Sequence, residues 1–123
     1  MITPIIIYND KILKRLSIFI NIGGITIYPF IILKEKNKKQ GVNKLVVHES
    51  IHIKQAEELL VLPFYILYVL EWLVKSLIHK SFKEGYYNIS FEREAYSNQY
   101  NKKYISERKK YHWIKRIIKK KKY

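Results

Sequence analysis

The sequence has no cysteine, which removes disulfides, cysteine-based zinc ribbons and thiol catalysis from consideration. It is short of acid, with 10 Asp and Glu against 24 Lys and Arg, a formal net charge of +14. No internal repeat is visible, and no basic n-region opens the chain, so a standard signal peptide is not expected. Two stretches lack charge altogether: Leu16 to Leu33, and Leu59 to Leu70 (LLVLPFYILYVL). A length of 123 residues points to one domain with one modest core. The excess of positive charge is concentrated: residues 101–123 carry eleven Lys and Arg against Glu107 alone, or +10. We therefore divide the chain into a domain over 1–108 and a basic amphipathic tail over 109–123. A cytoplasmic location, or one peripheral to an inner membrane, is expected.

Against this background the stretch Val46-Val47-His48-Glu49-Ser50-Ile51-His52 stands out. Residues four apart lie one above the other on a helix, so His48 and His52 can address one metal ion. Glu49 projects from the adjacent edge of that face, within reach of a water at the metal but poorly placed as a third ligand. Two neutral nitrogen ligands, an open position and a carboxylate base are what a hydrolytic zinc site requires. The competing expectation is a polar helix face with two solvated histidines.

The flanking elements are read as follows. The two-glycine signal at Asn21-Ile22-Gly23-Gly24 predicts a hairpin with strands over about 12–21 and 25–34, in preference to a membrane span over 16–33. Pro29 places the second strand at an edge or a bulge. A polar loop, Lys34 to Asn43, precedes a motif helix over about 44–62, with Asn43 as its N-cap. Leu45, Ile53 and Ala56 are expected to pack, and Glu57 and Glu58 to be solvated. Pro63 ends that helix and suits the first turn of the next. The apolar run is expected to be a buried core helix. The alternative is a helix on a membrane, with Phe64, Tyr65, Tyr68 and Trp72 at the interface. Lys80 to Tyr87 reads as a loop, and Asn88 or Ser90 as the cap of a helix reaching about Lys109. On that helix Glu92 shares a face with Tyr96 and with Gln99 or Tyr100, and Glu94 lies about 200° around from it. In the tail, Trp113, Ile114, Ile117 and Ile118 form an apolar stripe opposite a basic face. Docking on the domain, an anionic membrane surface and, less favoured, nucleic acid all suit such a pattern.

The pairing of His48-Glu49-Ser50-Ile51-His52 with Glu92-Arg93-Glu94-Ala95-Tyr96 resembles the gluzincin class of zinc metallopeptidases. Residues 20–115, from Thr26-Ile27-Tyr28-Pro29-Phe30 through LLVLPF to NISFEREAY, also look like a group of short bacterial proteins of Bacteroidetes-type genomes. The class resemblance implies that Glu92 is the third zinc ligand, with Ala95 three residues on and Tyr96 where an aspartate often stands. It also implies an edge strand, Gly24 to Leu33, able to pair with an extended peptide. The expected fold is α+β, mainly helical, with three to four helices, a small N-terminal β-hairpin or sheet and a minimal zincin-like core. The expected activity is peptide hydrolysis on a zinc held by His48, His52 and Glu92, with Glu49 as general base. Tyr86, Tyr87 and Tyr96 are candidate oxyanion donors, and Gln55 a candidate support for a ligand. The alternative is a non-catalytic zinc-binding domain held at a membrane surface by its aromatic helix and basic tail.

Overall fold

A computed structural model describes residues 3–16, 23–40 and 43–117. The architecture is α+β and mainly helical, with one three-stranded sheet near the N-terminus. The order is β1 (Ile5–Tyr8), α1 (Asp10–Leu16), β2 (Gly24–Ile27), β3 (Phe30–Leu33), a 3₁₀ segment (Glu35–Gln40), α2 (Lys44–Glu58), α3 (Leu62–His79), α4 (Phe82–Tyr87), α5 (Ser90–Asn98), α6 (Tyr104–Glu107) and a second 3₁₀ segment (His112–Arg116).

The hairpin is shorter than the sequence pattern predicts and turns elsewhere. Gly24 to Leu33 is two antiparallel strands, reversed at Tyr28-Pro29 across a cis peptide bond. Pro29 sits in the reversal, between the end of β2 at Ile27 and the start of β3 at Phe30, and not within a strand. Of the other expected strand, 12–21, residues through Leu16 belong to α1, and the rest lies outside the described residues. The third strand is β1, which pairs in parallel with β3 in the register Ile5 with Phe30 through Tyr8 with Leu33. In the order β1-β3-β2 the central β3 carries Phe-Ile-Ile-Leu, and Ile31, Ile32 and Leu33 are all buried. A strand enclosed on both faces has no reason to alternate, which is why its pattern is continuous.

Helix α2 is the centre of the molecule. Asn43 caps it by accepting from the amides of Leu45 and Val46 at 3.0 and 3.2 Å, as the sequence predicts. Every residue from Val46 to Ile53 is buried. Val46 and Ile53 pack on Ile31 and Leu33 of the sheet, with Leu45 at the margin. Val47 and Ile51 pack on Ala95 and Tyr104, and Ala56 on Phe64, Ile89 and Phe91. The sheet, α3 and α5 thus enclose the helix that carries the two histidines.

The apolar run forms an 18-residue helix, α3, opened by Pro63 in its first turn. The expectation of a buried core helix is overturned, because only Phe64 and Ser76 in it are buried. Its inner face bears the aromatics and its outer face the aliphatics. Residues 80–87, expected as a loop, contain α4, capped by Ser81 accepting from the Glu84 amide at 3.2 Å. Gly85 lets α4 lie on α3: a Cβ there would come within 2.6 Å of the Ser76 backbone nitrogen and Cα. Gly85→Ala is therefore expected to force the two helices apart and cost about 1–3 kcal/mol, read as a lowered denaturant midpoint at constant slope.

Helix α5 is capped neither by Asn88 nor by its own Ser90 side chain. Glu71 of α3 accepts from the Ser90 amide at 2.8 Å and from its hydroxyl at 2.6 Å. The helix ends at Asn98 and does not continue to Lys109. The chain instead leaves the helix and returns through α6, which brings Tyr104 and Arg108 back onto Glu94. The start of the tail docks on α5, with the Trp113 ring 4.6 Å from that of Phe91 and Arg116 donating to the Ser97 hydroxyl at 2.7 Å. Ile118 of the expected stripe lies outside the described residues.

A candidate metal centre between α2 and α5

The helix repeat brings His48 and His52 to one face of α2, and α5 places Glu92 opposite them. His48 Nε2 lies 2.9 Å from Glu92 Oε1, and His52 Nε2 lies 3.1 Å from Glu92 Oε2. One ligand atom from each of the three lies within 4.8 Å of the others. All three residues are buried, at 3 to 4% exposure, so the solvated-histidine expectation is overturned. The group is close enough to hold a metal ion.

The other imidazole nitrogens point away from this cluster to glutamines. His52 Nδ1 is 2.7 Å from Gln55 Oε1, and His48 Nδ1 is 2.9 Å from Gln99 Oε1. The Gln55 amide cannot turn around. Its nitrogen donates to the Phe91 carbonyl at 3.1 Å and to Glu94 Oε1 at 3.0 Å, so its oxygen must face His52. His52 therefore carries a proton on Nδ1, and in the neutral ring Nε2 is an acceptor. That acceptor faces the Glu92 carboxylate and has no hydrogen-bond partner despite the 3.1 Å approach. Two acceptors held this close in a buried site need a cation between them, either a proton or a metal. In the protein alone the proton supplies it. Burial works to lower the His52 imidazole, but Glu92 outweighs burial and raises it to about 9. Burial likewise works to raise the Glu92 carboxyl, and His52 and His48 hold it below the usual carboxylate range. A metal with bonds of about 2.0–2.1 Å spaces tetrahedral ligand atoms roughly 3.3 Å apart, close to the 2.9 and 3.1 Å between each imidazole and Glu92.

Two tyrosines complete the setting of Glu92. Tyr68 of α3 donates to Oε2 at 2.5 Å, and Tyr86 of α4 donates to Oε1 at 3.3 Å. Burial, and then Glu92 itself, push both phenols well above their ordinary value, so they remain donors. The Tyr86 and Tyr96 hydroxyls are 3.0 Å apart, and the Tyr96 ring stands edge-on to His48 with centroids 4.4 Å apart. Tyr96 thus supports the ligand shell by packing. Tyr87 is placed beside this pair, its ring 5.5 Å from that of Tyr96.

Glu49 is held separately. The Thr26 hydroxyl on β2 lies 2.9 Å from both Oε1 and the main-chain carbonyl of Glu49. That leaves Oε2 toward the centre, 4.0 Å from His48 Nε2. Gly24 leaves room for Leu33 of β3, since a Cβ there would lie 2.6 Å from Leu33 Cδ2, and it would only touch Glu49 Oε2 at 3.6 Å. Glu94 faces the other way, as its position on the helix predicts. It is fully buried and accepts from Gln55, Tyr104 and Arg108. Glu58, expected in solvent, is bound by the same guanidinium through two 2.9 Å hydrogen bonds, and Glu57 accepts from Tyr28 at 3.2 Å.

The roles of Tyr68 and Thr26 are not legible in the sequence, and Gln99, placed there on the face of Glu92, is given no role. Tyr68 and Thr26 were hidden in apolar runs, where the one reads as an interfacial aromatic and the other as an interruption. Gln99 had a signal, seven residues after Glu92 on the same face.

No protein-family model matches the chain, and no curated protein or solved structure matches it. The function must therefore be read from this geometry. Gln55 is its most informative support. Gln55→Ala is expected to leave the ligands in place and weaken metal binding about 10–100-fold, measured by competition with a chromophoric chelator.

Proposed function

We propose that the protein is a zinc-dependent hydrolase of the peptidase type, with His48, His52 and Glu92 as ligands and Glu49 as general base. The observation that carries the metal is the convergence of His48, His52 and Glu92, which are all buried and each offer one ligand atom within 4.8 Å of the others. Two nitrogens and one carboxylate oxygen form a donor set of the kind catalytic zinc takes, leaving a fourth position free. Zinc bound there would acidify a water and polarise a substrate carbonyl.

The chain's own groups then divide the work. Glu49, its Oε1 anchored by Thr26, has Oε2 free to accept the water's proton and pass it to the departing amine. Tyr86 gives its one hydroxyl proton to Glu92, so we assign the developing oxyanion to Tyr96, whose ring lies against His48 and whose hydroxyl would leave that of Tyr86 to donate there. Strand β2 is an edge of the sheet and lies beside Glu49, so it is the strand an extended peptide would pair with. That edge is partly taken. The Tyr65 hydroxyl accepts from the Tyr28 amide at 2.7 Å and donates to the Thr26 carbonyl at 3.1 Å. A peptide pairing along β2 would replace Tyr65.

One observation favours a second reading. Glu49 is only 5% exposed and the three ligands no more so, which suits a zinc ion that staples a small core without turning over substrate. The test is elemental analysis of the purified protein, with peptide cleavage followed before and after chelation. About one zinc per chain is expected, lost in Glu92→Ala, together with cleavage that chelator abolishes. Zinc-dependent thermal stability without cleavage of any peptide in a broad library would establish the structural reading. No zinc after reconstitution would overturn both.

A further inference from the structure

The outer face of α3 belongs to no part of the described protein. On a helix with 100° between residues, Ile66, Leu70, Leu73, Val74, Leu77 and Ile78 fall within one arc of about half the circumference, and all are 45 to 79% exposed. The arc contains no charge. Both charged residues of the helix interior turn inward: Glu71 caps α5 at Ser90, and the Lys75 ammonium donates to the Ile117 carbonyl at 2.7 Å. The aromatics turn inward too, with Phe64 packed on Phe91 and Tyr68 on Glu92. The helix is long and apolar enough to cross a membrane by length and composition, but its polar inner face is committed to the protein.

We propose that this face is seated in the surface of an anionic lipid bilayer, with α3 lying along the membrane and its inner face on the protein. Three features favour lipid over a second copy of the chain. The arc is wider than the seam of about two positions in seven that one helix buries against another. It lacks the flanking opposite charges that set helix pairing. The chain as a whole is cationic, with net charge +14, and beside α3 exposed Lys80 and Lys83, with Glu84 the one exposed acid next to them, follow directly on the helix while exposed Lys115 lies on the segment that Lys75 holds to it. An apolar face rimmed by lysine is the pattern of a helix bound to anionic lipid. The inference does not depend on the metal centre.

Because the chain has no cysteine, single substitutions can report each face. Leu70→Cys and Val74→Cys, labelled with an environment-sensitive fluorophore, are expected to shift to the blue with vesicles of phosphatidylcholine and phosphatidylglycerol. Brominated lipid should quench them. A label at Lys38→Cys, on the exposed 3₁₀ segment, should respond to neither. Co-flotation should weaken several-fold with phosphatidylcholine alone or in high salt. Leu70→Glu with Val74→Glu should weaken it at least tenfold at an unchanged circular dichroism spectrum. Failure of the wild-type chain to float, or labels at Leu70 and Val74 that stay unquenched by brominated lipid, would overturn the proposal. A blue shift without vesicles that grows with protein concentration would assign the face to a second copy and also overturn it.

Discussion

Glu49→Gln is expected to retain about one zinc per chain and to lose peptide hydrolysis by about a thousandfold, the middle of the range for a general acid–base group. The two side chains have the same shape. An amide oxygen still accepts from Thr26, whose hydroxyl lies 2.9 Å from Oε1, so β2 and α2 stay together. The amide in place of Oε2 cannot take a proton, and that atom is the one turned toward the centre, 4.0 Å from His48 Nε2. Zinc content and melting temperature should therefore match the wild type while turnover falls. Full activity in this variant would sink the assignment of the base, whatever the metal content.

Arg108→Met is expected to cost about 3–5 kcal/mol, the range for removing one partner of a buried ion pair. The guanidinium meets two carboxylates whose side chains are 0 to 4% exposed, Glu94 and Glu58. Its loss leaves both without their cation. Burial works to raise the Glu94 carboxyl, and Arg108 is the group that holds it below its usual range. In a domain of this size such a loss should lower the melting temperature by ten degrees or more. Adding Glu58→Gln and Glu94→Gln should recover most of it, because the cost lies in the unpaired charges. If the single variant melted with the wild type, the pair would be solvent-screened and the fold around α6 wrongly described. Gln55 bridges Glu94 to His52, so the stability of this ion pair also bears on the metal centre.

Much of the site could be read before any coordinates. The His48–His52 spacing, the opposite facing of Glu92 and Glu94 and the Asn43 cap follow from the helical repeat and from local backbone chemistry, which act within a few residues; Glu92 as the third ligand rests on the resemblance to the gluzincin class alone. The sheet was less legible. A hairpin was signalled in the right region, but the glycine pair drew the turn to the wrong place, and nothing local says that Ile5-Ile6-Ile7-Tyr8 pairs in parallel with β3. Parallel pairing joins residues 25 apart, Ile5 with Phe30, and is specified by packing, not by a turn. The direction of α3 was read wrongly for a similar reason. Hydrophobicity says that a helix avoids water, not whether protein or lipid covers it.

By itself, then, the sequence determined the mainly helical α+β class, the motif helix and which of its residues share a face. These depend on period, capping and residue type, all short-range. Only the tertiary structure decided that Gln55 and Gln99 orient the imidazoles, that Tyr68 and Tyr86 hold Glu92, that Arg108 closes on Glu58 and Glu94, and that the aliphatic face of α3 is left outside. Those partners lie on different elements, and which of them meet is settled by how the elements pack around α2.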